Sequence, residues 1–409
     1  MNRIKIIPLF FLVAGASMGL LLRWHLHSPI TWLKFPFWLH AHSHILTLGW
    51  AFNALLFVYY DLFSRRQRKY RAMFMVTQIV LVAMTAAFVV QGYGLYSIAL
   101  SSLHLGLSII YLAWIYQDIR GRTGTGILAL RISLLFSIIS AIGPLSIGPL
   151  SAMGMATSVL KSYLVHFYLH FQFNGTFLFG VIAILYHLMD QRSVQFNERV
   201  GRWMILILAG SIPPSYFLTV LSIDTPPFIF AIAFAGAVGQ LAGIGFLMAN
   251  AGMRALLVFK RPARYFFVIA AIALGLKSLF QLAVIIPDLG IEILNSRTLT
   301  VAYLHLILVG FVTSFLLGWY EETFVAGQRS AGIIVLYTVS FAGLEVGLTL
   351  QAFTPRAPPI DPHFLVMASS VLLWLSFTIA FSRVFGQKNS AAKRKVPVTI
   401  KPDFYQLLQ

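Results

Sequence analysis

Apolar runs of about 20 residues recur from one end of the chain to the other, and each is long enough to cross a lipid bilayer. Of all residues, 59% are hydrophobic and only 10% are charged, whereas soluble domains carry about 25% charged residues. The first run follows Arg3 and Lys5. No small-residue cleavage site leads from it into a soluble domain, so we interpret it as a span rather than a signal peptide. The sequence predicts an all-α polytopic membrane protein, with the lipid bilayer as its first partner.

We predict twelve transmembrane helices joined by short connections. The predicted spans run near 4–24, 40–63, 73–94, 95–119, 127–148, 164–189, 203–221, 226–252, 265–287, 298–320, 331–354 and 362–386. Because no soluble domain interrupts them, residues 1–387 are expected to form one twelve-helix transmembrane bundle. Residues 388–409 include the basic run Lys393, Arg394 and Lys395, and we expect them to form a disordered, basic cytoplasmic tail.

Positive charge is sorted between alternate loops. One set carries Arg65, Arg66, Arg68, Lys69, Arg71, Arg120, Arg122, Arg192, Arg199, Arg202, Arg254, Lys260, Arg261 and Arg264, and the opposite set only Arg23, Lys34, Lys161, Arg297 and Arg356. The loop with Glu321, Glu322 and Arg329 is the one weakly marked exception. The positive-inside rule therefore predicts that both termini are cytoplasmic, in a bacterial cytoplasmic (inner) membrane. This sorting also explains the net charge of +18, so nucleic acid is not an expected partner.

The histidines lie mostly toward the outer side of the predicted bundle. His25, His27, His40, His42, His44, His166, His170 and His363 lie near the outer surface, His305 about two turns inside it, His104 midway through span 4, and His187 alone near the cytoplasm. The chain has no cysteine, which excludes disulfides, thiolate metal sites, iron–sulfur clusters and covalently attached haem. One site, or two adjacent sites, is expected in the outer half.

Span 2 opens with three alternating histidines, His40, His42 and His44. Residues four apart share a helical face, so His40 and His44 face one way and His42 the other. His44 is the deepest and is our first choice as a haem iron ligand, with His40 and His42 as neighbouring candidates. The alternative interpretation is that histidines at the interface bond only to lipid headgroups.

Span 10 carries a lone histidine, His305, in an aliphatic helix at nearly the depth of His44. An unsatisfied polar group in hydrocarbon costs several kcal/mol, so His305 needs a partner. Two neutral imidazoles on facing helices can hold a b-type haem from both sides. The alternative is a core histidine bonded to a backbone carbonyl.

Span 6 carries His166 and His170, four residues apart, which is the spacing that brings two imidazoles to one metal on one helical face. Its aromatic residues would form a wall for a flat cofactor: Phe167, Tyr168, Phe171 and Phe173. The candidate occupants are copper or a second haem. The alternative is a polar pocket that holds no metal.

Three more polar residues are predicted inside the bilayer: Lys277 and Gln281, which share a face of span 9, and Glu345 on span 11. Each is a candidate proton-path residue, haem-propionate partner or member of a structural pair. In addition, Pro213 and Pro214 should break span 7 and open a polar lining there.

Twelve spans with histidines near the outer end of span 2 and in span 10 resemble the catalytic subunit, subunit I, of the haem–copper oxidase superfamily. The resemblance implies a low-spin haem held by His44, or a neighbour, and His305. It also implies that His166 or His170 matches the copper ligand of span 6. Tyr303 stands where the family has its high-spin haem ligand, and Ser211-Ile212-Pro213-Pro214 replaces the His-His pair. The resemblance therefore implies that the oxygen-reducing centre is degenerate or absent.

The chain is also similar to the NnrS family of haem- and copper-containing membrane proteins, whose second span begins with an H-A-H motif like His40-Ala41-His42. Both resemblances imply a haem-binding redox protein served by a periplasmic or membrane electron donor, and whether it is an oxidoreductase stays open. Two alternatives remain. One is a twelve-span secondary transporter, suggested by Asp61 ahead of Arg65 and Arg66, although the two six-span halves are not alike. The other is a metal or haem handling factor.

Overall fold

The computed structural model describes residues 4–65, 67–155, 158–221, 225–325, 331–353 and 361–386, and within these ranges every regular element is a helix. Eleven helices of the described part are long and apolar enough to cross a membrane. The predicted all-α, multi-pass membrane fold is therefore confirmed. The predicted tail, 388–409, lies outside the described residues, as do Arg66, Arg329 and Arg356.

The long helices follow one another with short connections. They are α1 (Ile4–His27), α2 (Phe35–Leu62), α3 (Arg68–Gln91), α4 (Leu95–Ile119), α5 (Thr125–Ala152), α6 (Val159–Gln191), α7 (Glu198–Ser215), α8 (Pro227–Val258), α9 (Arg261–Ala283), α10 (Arg297–Phe324), α11 (Ala331–Phe353) and α12 (Pro362–Phe385). A short helix, Pro287–Asn295, precedes α10.

Helix α7 occupies the place of the predicted seventh span but is not among the eleven apolar helices. Its first turns carry Glu198, Arg199 and Arg202, which lower its hydropathy. The α-helix ends directly after Pro213 and Pro214, as the sequence predicted, and the chain continues as one 3₁₀ turn, Tyr216–Thr219. Proline lacks the N–H that an α-helix needs, so the carbonyls one turn earlier lose their partners.

The described helices close into a ring. Each of α1 to α11 packs against the helix that follows it, and α12 packs against α1. Helices α2, α6 and α10 lie innermost, because 78%, 83% and 72% of their most apolar segments are buried, against 28–56% for the other apolar helices. Trp50 of α2 donates a 2.8 Å hydrogen bond to Thr313 of α10, and Gly180 of α6 packs against Tyr59 of α2.

Each inner helix widens into a π-helical stretch directly after a histidine. Ile45–Phe52 follows His44, Phe171–Phe177 follows His170, and Leu306–Thr313 follows His305. Five residues after each histidine stands a glycine, Gly49, Gly175 or Gly310. The chain therefore contains three related units, α1–α4, α5–α8 and α9–α12, with the histidine on the second helix of each. Because π-helical turns are rare and concentrate at functional sites, the three histidines mark a candidate functional region of the ring.

The three repeated glycines let each inner helix lie close to the helix before it. A Cβ on Gly49 would stand 3.1 Å from the Phe11 ring. On Gly310 it would stand 2.9 Å from the Ala273 Cβ. On Gly175 it would stand 2.5 Å from Phe136 Cβ. Real Cβ atoms essentially never approach another carbon within 3.0 Å, so a side chain at Gly175 or Gly310 would force its neighbours to move, and at Gly49 the Phe11 ring would have to shift slightly.

We expect Gly175→Ala to lower the free energy of unfolding by about 1–3 kcal/mol, because the added methyl overlaps Phe136 in a fully packed interior. Gly210→Ala on α7 is the matched control, since no atom lies within 4 Å of the Cβ it would add. The control should be neutral or slightly stabilising, because alanine favours a helix over glycine. Thermal unfolding of the purified variants in detergent measures both. Equal unfolding temperatures would contradict the close packing.

The end of the ring opposite the histidine cluster is held by two ion pairs whose carboxylates are buried and whose arginines are partly exposed. Glu321 bonds to the Arg383 guanidinium at 3.1 and 3.2 Å. Glu322 bonds to the Arg192 guanidinium and accepts from the Lys260 backbone N–H at 2.9 Å. The sequence alone assigns Glu321 and Glu322 to the loop after α10, where they weaken the charge difference between the two sides. They belong instead to the end of α10 itself, where they are buried.

Candidate functional site

The two faces of the histidine cluster on α2 point toward different helices, as the helical spacing predicted. His42 faces α1, because its Nδ1 lies 2.9 Å from the carbonyl oxygen of Gly15. His44 faces α3, because its ring stacks on Phe88 with centroids 4.3 Å apart. His40 shares the second face and meets Tyr93 edge to face at 4.5 Å.

The imidazole of His44 is already engaged by the turn between α3 and α4. Its Nε2 and the Tyr93 hydroxyl are hydrogen-bonded at 3.0 Å. Gly92 places this turn against α2 with φ +59°, a backbone conformation that suits glycine, and the ring of Phe37 stands 2.6 Å from where a Cβ would be. Partial burial raises the pKa of the Tyr93 phenol, so this hydroxyl stays protonated beside His44.

His42 and His305 present the opposite situation, with one ring nitrogen fixed and the other available. The Nδ1 of His42 donates to Gly15 O at 2.9 Å, and the Nδ1 of His305 donates to Val301 O at 2.7 Å. A carbonyl oxygen only accepts, so in both rings Nδ1 carries the hydrogen and Nε2 keeps its lone pair. A histidine that binds a metal typically has this arrangement, because the second-shell carbonyl sets the tautomer and the ring orientation.

The register of α2 against α10 places these two histidines at one level. Trp50 and Thr313, which are hydrogen-bonded, each lie eight residues after His42 and His305. The two imidazoles also lie close enough to interact electrostatically. Both this proximity and the Trp50–Thr313 bond can exist only if α2 and α10 run in the same direction. Helices α2 and α10 therefore bring His42 and His305 together, while His44 lies on the far face of α2. The predicted pairing of His44 with His305 stays a prediction, and the geometry favours His42 in its place.

Arg23 lies beside this pair, near the end of α1. Its guanidinium is within electrostatic range of both His42 and His305. None of the ion pairs and hydrogen bonds found among the described residues gives it an acidic partner. From the sequence Arg23 is only a loop charge, because its proximity to two histidines depends on how α1 packs against α2 and α12.

The three inner helices divide the ring into three sectors. Sector I lies between α10 and α2 and contains α11, α12 and α1. Sector II lies between α2 and α6, and sector III between α6 and α10. The repeated histidine of each inner helix faces the sector that begins at that helix. His44 of α2 meets Phe88 in sector II, and His170 of α6 bonds to Ile212 in sector III. The residue two positions earlier faces the other way: His42 faces sector I, and Tyr168 lies near Tyr93 in sector II.

The same rule assigns His305 to sector I and Tyr303 to sector III, since residues two apart on a helix point in nearly opposite directions. Each sector therefore lies between the repeated histidine of one inner helix and, on the next inner helix, the residue two positions before the repeated histidine. Sectors II and III pair a histidine with a tyrosine, Tyr168 or Tyr303. At these positions sector I pairs two imidazoles, those of His305 and His42, whereas in sector II the further histidines near His44 are His40 and His104. A three-fold repeat of H-x4-G, visible in the sequence at His44, His170 and His305, is the signal that could have located this pair.

The predicted metal ligands of α6 do not converge. The Nδ1 of His166 bonds back to Ser162 O at 2.9 Å, as that of His305 does to Val301 O, so the difference lies at its intended partner, His170. His170 is 4% exposed, donates from Nε2 to Ile212 O at 2.9 Å and accepts at Nδ1 from Asn174 Nδ2 at 3.3 Å. Both nitrogens of His170 are therefore engaged, and the described residues contain no group of three or more His, Asp or Glu side chains placed to hold a metal ion. A copper ion at His166 and His170 stays a prediction without support from this geometry.

The other histidines lie apart from the His42–His305 pair. His25 accepts a hydrogen bond from Ile30 N at 3.0 Å in the loop after α1, and His187 bonds to Gln191 at the other end of α6. His104 on α4 is 3% exposed, and its Nε2 has no hydrogen-bond partner among the described residues. It belongs to sector II, since it lies within range of His44.

No protein-family model and no curated protein matches the chain. The resemblance to haem–copper oxidases and to the NnrS family therefore rests on the residues quoted above and stays a prediction. What the fold adds is the sector I pair: the imidazoles of His42 and His305 and the Arg23 guanidinium lie within electrostatic range of one another. Among the described residues, neither Nε2 has a hydrogen-bond partner and Arg23 has no acidic partner.

Proposed function

We propose that this chain is a haem-binding redox protein of a bacterial cytoplasmic membrane, with one low-spin b-type haem held between His42 and His305 in sector I. The observation that carries the proposal is the shared tautomer of the two histidines. Each donates from Nδ1 to a backbone carbonyl, and each leaves Nε2 free at the same level of two adjacent helices. Neutral imidazoles in this state are the usual axial ligands of b-type haem.

Arg23 supports the fit of a haem to this sector. A haem carries two propionates, and Arg23, which is half-buried and has no acidic partner among the described residues, is a suitable counter-charge for them. The two imidazoles would fix the group, and Arg23 would orient its charged edge toward the outer surface. Bound there, a haem supplies one-electron chemistry, and two protein ligands leave no position for oxygen or carbon monoxide.

The topology proposed from the charges fits this placement. We infer that α7 also crosses the membrane, because it packs along α8 and completes three units of four helices. With twelve spans and the basic loops inside, both termini are cytoplasmic and His42 and His305 lie in the outer half of the bilayer. The electron donor would then reach the haem from the periplasm or from the membrane.

The proposal does not include an oxygen-reducing centre. In sector III both nitrogens of His170 are occupied, and Tyr303 stands where the resembled family has a haem ligand. Of the alternatives, a secondary transporter built from two six-helix halves fits less well, because the chain repeats three times rather than twice. A metal or haem handling factor would use the same ligands, but it would release its haem readily.

The test is a dithionite-reduced minus air-oxidised absorption spectrum of the purified full chain in detergent, together with a pyridine haemochrome assay. We expect sharp reduced bands, about one b-type haem per chain, and no change on adding carbon monoxide, because both axial positions are filled. A folded protein that contains no haem after production in haem-replete cells would overturn the proposal. Haem that is lost on passage over a desalting column would favour the handling factor.

A further inference from the structure

Sector III contains a second buried polar cluster that the haem proposal does not use. Its side chains come from four successive helices and none is more than 6% exposed: His170 and Asn174 of α6, Ser215 of α7, Gln240 of α8, and Lys277 and Gln281 of α9. Polar groups this deep in an apolar bundle are costly unless each is bonded, and in membrane proteins they mark ligand sites by default.

A chain of hydrogen bonds links most of the cluster. Lys277 Nζ donates to Gln240 Oε1 at 2.6 Å, and Gln240 Nε2 donates to Ser215 Oγ. Ser215 Oγ donates to Ile212 O at 2.9 Å, the same carbonyl that accepts from His170 Nε2. Asn174 Nδ2 then donates to His170 Nδ1. The carbonyl of Ile212 is available because the prolines that follow it end the α-helix.

The cluster leaves both donors and acceptors unmatched. An ammonium group has three N–H donors, and Lys277 uses one of them, on Gln240. No ion pair of the described residues includes Lys277. On the acceptor side, Asn174 Oδ1 and Gln281 Oε1 are buried without a donor in the described part of the chain. A single partner with a negative charge and one hydroxyl would satisfy Lys277 and one of these two amide oxygens.

We propose that Lys277, Gln281 and Asn174 form a binding site for a small protonated oxyanion, of which hydrogencarbonate is the simplest. Its charged oxygens accept from the Lys277 ammonium, and its hydroxyl donates to an amide oxygen of Gln281 or Asn174. Gln281 is placed for this because it lies one helical turn beyond Lys277 on the same face of α9. Halide ions satisfy the ammonium but leave both amide oxygens unpaired, so they match the site less well.

This inference does not rest on the haem proposal, since it concerns a different sector. The test measures the thermal unfolding temperature of the full chain in detergent, with and without haem, in sodium hydrogencarbonate or sodium formate at equal ionic strength. Formate has a similar charged carboxylate but no hydroxyl. We expect hydrogencarbonate to raise the unfolding temperature, and formate to raise it less.

Two variants and one control locate the effect. Lys277→Met should abolish the response to hydrogencarbonate, whereas Lys161→Met, at the start of α6, should keep it. Gln281→Glu would place a carboxylate beside Lys277, four residues along the helix. It should remove the response while raising the unfolding temperature without anion, because it supplies the counter-charge from within the chain. If Lys277→Met does not fold, Gln281→Glu still decides. The proposal is overturned if the wild type shows no response, if formate and hydrogencarbonate act equally, or if Lys277→Met or Gln281→Glu responds as the wild type does.

Discussion

His42→Ala and His305→Ala should each remove the low-spin b-haem spectrum, while His44→Ala should keep it. The free Nε2 atoms of His42 and His305 lie on adjacent faces of α2 and α10, and losing either one opens an axial position. His44 has its Nε2 bonded to Tyr93 and its ring stacked on Phe88, on the far face of α2. Reduced-minus-oxidised spectra of the three variants, purified in parallel, distinguish the two candidate ligands of α2.

His187→Ala is the control for the loss of any histidine, because His187 lies at the other end of α6 and bonds to Gln191. We expect it to retain the wild-type spectrum and haem content. In the ligand variants, residual haem should turn high-spin and bind carbon monoxide, since one axial position is then open. If His44→Ala loses the spectrum and His42→Ala retains it, the assignment to sector I is wrong and the original pairing of His44 with His305 is restored.

The choice between His42 and His44 shows where reasoning from the sequence reaches its limit. Helical spacing correctly placed His40 and His44 on one face of α2 and His42 on the other. The predicted topology also gave the depth of each histidine in the membrane, and this depth favoured His44 as the haem ligand. The direction of each face depends on the closure of the ring, in which α12 packs against α1 and turns the His42 side of α2 toward α10. That contact joins the two ends of the chain, and no local pattern encodes it.

Two other differences have local physical causes. The histidine–glycine repeat was present in the sequence, but a π-helical stretch adds a residue to a turn only where packing favours it, as at Gly175 against Phe136. Helix α7 has the predicted position and the predicted break at Pro213 and Pro214, but the charges of its first turns keep it below the hydropathy of the other spans. Composition and charge sorting were sufficient for the all-helical membrane fold, because the bilayer restricts that choice more strongly than any single residue.

Glu322→Ala should destabilise the folded chain by about 1–3 kcal/mol, the range for leaving a buried polar group without its partner, because the Arg192 side chain is 39% exposed and water can solvate its charge. Glu322 is 3% exposed and joins three segments at the end of α10. Its carboxylate bonds to the Arg192 guanidinium after α6 and to the Lys260 N–H before α9. The Lys260 ammonium in turn donates to the Glu322 carbonyl at 2.6 Å. Without the carboxylate, the Arg192 guanidinium and the Lys260 backbone N–H both lose an acceptor.

Glu292→Ala is the matched control, because Glu292 is an exposed carboxylate on the short helix before α10. It should change the free energy of unfolding by no more than about 0.5 kcal/mol. Unfolding in detergent by titration with sodium dodecyl sulfate, followed by far-ultraviolet circular dichroism, measures both variants. Equal midpoints for the two would mean that the Glu322 carboxylate does not stabilise the end of α10. Glu322→Ala can be combined with a haem spectrum of the protein that remains folded. A large loss in the free energy of unfolding with unchanged haem bands would show that this junction stabilises the ring without setting the geometry of the His42–His305 site.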